Sequence, residues 1–283
     1  MMIKEGGHNM GVKKSRGAVI GIVTLFFLAL EAILVPSSES SIRVASYLEQ
    51  SAETSYQNFP GEWSVKKWQG PVEVKVIQED GRKVLRVTSH QAGVSLHRGL
   101  AFNVNANPVL SWEWKVSNLS IAGDAPGKVL DTHPAGVYLM FPRFPALMNS
   151  QFIGYIWSDV LPVGTIIQSP SNASVFHVVV RTGSDSLGSW VSEERDVVAD
   201  YKKIFGQSPS KLGGISLILD SADVKPEMTN FFGSIDFNPR HSSNQVITRE
   251  ETAAIKVIDQ KDNNKFVASL LILFGLAGNK NSP

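Results

Sequence analysis

A chain of 283 residues with 27 Lys and Arg against 26 Asp and Glu has a formal charge of +1 and no block of like charge in its body. Nothing in it tracks a phosphate backbone, which excludes nucleic acid as a partner. With no cysteine it forms no disulfide, thiolate metal site or thiol nucleophile, and the fold rests on packing alone.

In chain order, Lys13, Lys14 and Arg16 precede an uncharged run over 17–30, followed by Glu31 and the breaker Pro36. That is the pattern of a signal peptide. Carried through Val35, the run nearly reaches the ~20 residues of a spanning helix, so residues 1–36 read as a signal peptide or an N-terminal anchor. Either way the basic side stays in the cytoplasm and the body is exported. The expected locations are periplasmic, anchored to the inner membrane facing the periplasm, or secreted. Export without disulfides leans toward a bacterial envelope. The only membrane contact expected is through the N-terminal segment, if it is uncleaved.

Residues 37–61 read as a linker, 62–240 as the folded domain, and 241–283 as a polar tail with a short apolar segment over 266–276. Within the domain, Val72, Val74 and Val76 alternate with polar neighbours, Asp80-Gly81 supplies a turn, and Val84, Leu85 and Val87 return as the second strand of a hairpin. Leu110, Trp112, Trp114 and Val116 share one face of the clearest strand. Further strands are predicted over 136–141, 152–157, 175–181, 189–193, 215–219 and 231–237. One helix is predicted over 197–205, capped by Asp196 and ended by Gly206. Many short strands with turn chemistry between them predict a mainly β sandwich or barrel.

No phosphate loop, dinucleotide fingerprint, HExxH or nucleophile elbow is present, which removes the usual support for enzyme classes. No two of the 6 histidines stand at i and i+4, the spacing that a helical metal site needs. His177 reads as a surface residue on the polar face of its strand. Glu193, Glu194 and Asp196 cluster around Arg195, and paired carboxylates serve acid and base work on a glycosidic bond or hold calcium. Strand alternation nevertheless points Glu193 and Arg195 one way and Glu194 and Asp196 the other, which suits a structural ion pair. Trp112, Trp114, Trp157 and Trp190, with Tyr138 and Tyr155, are the aromatic stock for stacking on sugar rings. Trp112 and Trp114 read as core, Trp157 and Trp190 as cleft. Asp124, Asp131 and His133 fall in a long loop bearing Gly and Pro.

The series Leu110-Ser-Trp-Glu-Trp-Lys-Val, Gly123-Asp124, Ala135-Gly-Val-Tyr-Leu-Met-Phe141, Gly154-Tyr-Ile-Trp-Ser158, Trp190-Val-Ser-Glu-Glu-Arg-Asp196 and Gly233-Ser-Ile-Asp236 resembles the uncharacterised bacterial family called domain of unknown function 3047. The resemblance implies an exported, jelly-roll-like antiparallel β-sandwich with one or two short helices, similar in shape to carbohydrate-binding modules. Where that pattern has an acidic run after the late strand, this chain has Leu219-Asp-Ser-Ala-Asp-Val-Lys-Pro226, which puts a ligand role for Asp220 and Asp223 in doubt.

The leading expectation is a non-catalytic envelope domain that binds a carbohydrate or similar polar polymer. Trp157 and Trp190 are its stacking residues, with Tyr138 beside them and Glu193, Arg195 and Asp220 as the polar rim. Calcium is the one cofactor considered, with Asp124 and Asp236 as weak candidate ligands. Two alternatives stay open. One is a glycan-cleaving hydrolase or lyase using Glu193 with Glu194 or Asp196, and the other is an envelope component that binds a protein partner through the 266–276 segment.

Overall fold

The hairpin predicted from alternation forms as β3 (Val72–Glu79) and β4 (Arg82–Ser89), with Val74 facing Val87 and Val76 facing Leu85 on the buried side. Its turn places Asp80 at φ 51° and Gly81 at φ 76°. Both central residues are left-handed, as a two-residue turn matching the strand twist requires. This computed structural model describes residues 40–49, 62–68, 70–119, 134–145, 149–220 and 227–240. The predicted leader or anchor, the 266–276 segment, Asp124, Asp131, His133 and Asp223 lie outside the described residues.

The remaining strands are β1 (Ile42–Arg43), β2 (Trp63–Trp68), β5 (Gly93–Phe102), β6 (Val109–Val116), β7 (Ala135–Phe141), β8 (Gln151–Ser158), β9 (Ile166–Gln168), β10 (Val175–Thr182), β11 (Val191–Asp196), β12 (Leu212–Asp220) and β13 (Met228–Asn238). They form two sheets. A six-stranded sheet runs β11-β6-β13-β4-β3, with β1 paired to β13. A seven-stranded sheet runs β2-β5-β12-β7-β8-β10-β9.

The chain is thus a β-sandwich. Pairing is antiparallel except between β8 and β10, which run parallel. The long β13 pairs with β6 along one side, while on the other its first half holds β4 and its end holds β1. A bulge between Phe232 and Ile235 separates the halves, and there Tyr47 Oη donates to the Gly233 carbonyl at 2.9 Å.

The main core lies between the sheets. Leu110, Trp112, Trp114, Val116 and Phe232 from one sheet meet Leu96, Val137, Leu139, Tyr155, Trp157 and Leu217 from the other. Trp112 packs on Tyr155 with centroids 5.5 Å apart, and Trp114 on Trp157 at 5.7 Å, so the aromatic stack bridges both sheets.

The predicted helix forms as α1 (Val197–Phe205). The Asp196 side chain accepts from Ala199 N, and Gly206 closes it at φ 72°. Strands β2 and β5 escape the sequence reading, although β5 lies near the middle of its sheet. Each breaks its apolar alternation with a cation, the exposed Lys67 in β2 and the buried Arg98 in β5. Arg98 is tolerated there because it donates to the Val44 carbonyl and pairs with Glu62.

Candidate functional site

The residues expected to form one cleft are distributed by the fold among four places. Trp157, expected at a cleft, is fully buried in the inter-sheet core, with its Nε1 donating to the Gly183 carbonyl at 3.0 Å. Its even neighbours in β8 point outward, and residue 157 falls on the inward phase. The sugar-stacking role therefore does not fit Trp157.

Glu193 also faces inward, as strand alternation required. Its Oε1 accepts from Arg181 at 2.9 Å and from Trp114 Nε1 at 3.4 Å. Burial pushes its carboxyl up, against the pull of Arg181. Arg195 forks onto Asp200 at 2.6 and 2.9 Å, and Tyr155 Oη donates to the same carboxylate at 3.0 Å. Asp196 caps α1 and pairs with Arg240 at 2.8 Å. The cluster is a set of structural ion pairs at a strand-to-helix junction. It supplies neither a polar rim nor a free acid and base, because each carboxylate except the exposed Glu194 is engaged.

Trp190 is half-buried on the outer face of the six-stranded sheet, beside Phe231 at 6.3 Å. The Arg82 guanidinium stacks 4.1 Å from its ring centre. Glu113 holds that guanidinium at 2.9 and 3.0 Å. One face of the indole is therefore already covered by a cation, where an open stacking surface was expected. Asp236, the described calcium candidate, faces Arg43 at 3.4 Å, and burial raises its carboxyl. A guanidinium stands where a cation would bind. Among the described residues, no group of three or more His, Asp or Glu is placed to hold a metal ion.

Tyr138 and Asp220 lie on adjacent strands of the seven-stranded sheet, away from the other candidates and four residues apart in register. The registers align Ser64 of β2 with His97 of β5, His97 with Ser216 of β12, Ser216 with Tyr138 of β7, Tyr138 with Gly154 of β8, and Gly154 with His177 of β10. A single polar row thus crosses six strands. At ~4.8 Å per strand its five steps span about 24 Å.

The members also touch. Ser64 Oγ and His97 Nε2 share a short hydrogen bond, and Tyr138 Oη and His177 Nδ1 stand 3.2 Å apart. Glycines make room for the rings. The Tyr138 ring lies across Gly136 and Gly154, where an added Cβ would collide with it, and the Trp68 ring lies over Gly93 in the same way. Asp220 lies two levels from the row, aligned with Gly93 and Trp68, with Lys66, Ser95 and Ile218 on the level between.

Around the row lies a second apolar cluster of Tyr138, Met140, Phe152, Ile156, Val175, Val179 and Ile218, against which Trp68 and Leu161 pack. His97, His177, Tyr138, Ser95 and Ser216 are all buried. Burial, with Lys66 adding its charge, pushes the His97 imidazole down to about 3, so the ring is neutral at ordinary pH. Among the described residues, the Ser95 and Ser216 hydroxyls have no hydrogen-bond partner. Leaving a buried hydroxyl unsatisfied costs about 1–3 kcal/mol, so this face carries polar groups that folding alone does not explain.

The sequence reading found Tyr138 and Asp220 but missed Ser64, Trp68, Ser95, His97 and Ser216, and it placed His177 on the surface. The available signal was phase: His177 alternates with Val175 and Val179, and Ser216 with Ile218, so both are polar intrusions on apolar faces.

A family profile described as "Protein of unknown function (DUF3047)" matches residues 61–236, more than half of the chain. The chain belongs to that family. The matched span includes every strand of the seven-stranded sheet, so the polar row lies wholly within the DUF3047 region. No curated protein matches the chain.

Among solved structures, the DUF3047 sandwich is similar to the family 30 carbohydrate-binding module of a cellulosomal cellulase of Clostridium thermocellum. The identity is 9% over 72% of this chain and 99% of that one, with a TM-score of 0.41. It is also similar to the family 11 carbohydrate-binding module of cellulase Lic26A-Cel5E of Clostridium thermocellum, with 7% identity over 69% and 98% of the two chains and a TM-score of 0.35. A cellulase derived from Cel12A of Rhodothermus marinus matches at 11% identity over 70% and 100%, with a TM-score of 0.37.

Proposed function

We propose that the chain is an exported, non-catalytic carbohydrate-binding protein whose ligand lies along the polar row on the outer face of the seven-stranded sheet. The observation that carries this reading is the row itself. Hydroxyls and imidazoles share one row across adjacent strands, with two aromatic rings laid on glycines of the same face. Hydroxyl-rich ligands need groups that both donate and accept, which Ser, Tyr and neutral His supply, and they need ring faces to cover their C–H patches. A row of about 24 Å suits an extended oligomer rather than a single small molecule. The basic and uncharged segments over 13–30 support export to the cell envelope.

The test is a glycan array and polysaccharide retention with the full-length protein, followed by analysis for cleavage products. Trp68→Ala is expected to weaken retention about tenfold, roughly 1.4 kcal/mol, without lowering the melting temperature much, since Trp68 is half-buried on an outer strand. Trp190→Ala, on the opposite sheet, is expected to retain affinity. Binding that survives Trp68→Ala and fails with Trp190→Ala places the site on the other sheet. Release of new reducing ends makes the protein an enzyme.

A further inference from the structure

We infer that the ligand is an acidic glycan, whose negatively charged group is received at the β2 end of the polar row by Lys66, Ser95 and His97. This deepens the proposed carbohydrate reading and rests on it.

Three observations converge on that spot. First, Lys66 is directly opposite Ser95 in the pairing of β2 with β5, on the same outer face as Ser64 and His97. Residues directly opposite on an antiparallel pair hold their Cβ atoms about 5 Å apart, so the ammonium and the hydroxyl reach a common point above the sheet.

Second, that ammonium is not spent on a partner among the described residues. Five other half-buried cations of the strands are matched by carboxylates. Arg82 pairs with Glu113, Arg86 with Glu73, Lys115 with Glu79, Arg181 with Glu193 and Arg195 with Asp200. Lys66 makes no ion pair among the described residues. Partial burial lowers its tendency to hold a proton, and no carboxylate offsets this. An unpaired, partly desolvated ammonium is an unfavourable thing to build into a sheet unless an anion arrives to join it.

Third, the Ser95 hydroxyl, opposite Lys66 on the same face, is buried and has no hydrogen-bond partner among the described residues. His97 lies one level along, close enough for Lys66 to act on its titration, and is already engaged with Ser64. Together an ammonium, a hydroxyl and an imidazole form a receptor for a carboxylate. The rest of the row, Ser216, Tyr138 and His177, carries no lysine or arginine and fits the hydroxyls that follow. Asp220 lies one level to the other side, aligned with Gly93 rather than with Ser95, and so limits the anionic pocket to the Lys66 level.

The experiment compares polygalacturonate with its fully methyl-esterified form, the same backbone with its carboxylates free or capped, as ligands for the full-length protein by calorimetry and retention. The acid form is expected to bind at least tenfold more tightly than the ester at low salt, with the advantage shrinking as salt rises. Lys66→Gln is expected to bring the two polymers to equal affinity, and Lys66→Arg to restore the preference. Melting curves establish that both variants fold.

Equal binding of acid and ester by the parent protein overturns the inference, as does a preference that survives Lys66→Gln. Binding of a neutral β-glucan with neither pectic polymer bound also overturns it and leaves the carbohydrate reading standing. Retention of no glycan at all removes both.

Discussion

An imidazole between Ser64 and the charge of Lys66, in a desolvated sheet face, stays neutral down to about pH 3 in the folded chain. In the unfolded chain the same group titrates near 6.5. Between those values the unfolded state binds the proton and the folded state does not, so stability is full above about 6.5 and falls as pH drops toward 3. One such group contributes about 1.4 kcal/mol per pH unit across the window. Glu193 and Asp236 are raised by burial and run the opposite way, favouring the fold as pH falls toward the ordinary carboxylate range. The interval from 6.5 to 5.5, above that range, is therefore where His97 shows most clearly. Denaturant midpoints across that unit are expected to decline with acid in the parent protein and to flatten in His97→Gln. An equal decline in both assigns the slope to other groups. Nothing local in the sequence announced this histidine, because its environment is contributed by two strands and by burial.

At the level of elements, what could be read was what local rules decide. The Asp80-Gly81 turn, the Leu110 to Val116 alternation and the whole of α1 with its caps follow from neighbours in sequence. Asp196→Ala removes the hydrogen bond to Ala199 N and the partner of Arg240, and is expected to cost about 1–2 kcal/mol. Gly206→Ala forces a side chain into the left-handed region and is expected to cost about 1 kcal/mol. Melting temperatures test both, and no change in either would mean that the β11–α1 junction is held by packing alone. The strands that were missed depend on distant partners. Arg98 is inward-facing and makes sense only with Glu62 and the Val44 carbonyl in place, and the serines of the outer face only with the registers that align them.

For the whole molecule, the aromatic stack ties one sheet to the other. Trp157→Ala removes a fully buried indole that packs on Trp114, and is expected to cost about 3–5 kcal/mol. Since the stack spans the interface, tryptophan fluorescence and far-ultraviolet dichroism are expected to report coincident unfolding transitions in the parent protein. Fluorescence lost ahead of dichroism would show the sheets parting before their strands. The sandwich itself was legible because the inter-sheet core imposes period-two patterning on most strands. The site was not legible as a unit, since its members come from six strands and are neighbours only after the sheet assembles. Aromatic and acidic residues drew the sequence reading toward Trp157, Trp190 and Glu193, but their chemistry is absorbed by the core and by ion pairs.

Among the described residues, β2 is also one of the two outer strands of the seven-stranded sheet, β9 being the other, and β2 carries Lys66 and Lys67 in succession. A strand at the margin of a sheet presents unpaired backbone groups to any passing strand, and adjacent lysines make a second copy an unwelcome neighbour through like-charge repulsion. The ammonium proposed to receive a ligand would then also help keep the molecule from zipping onto itself. Variants that neutralise both lysines would gain a route to strand-by-strand aggregation.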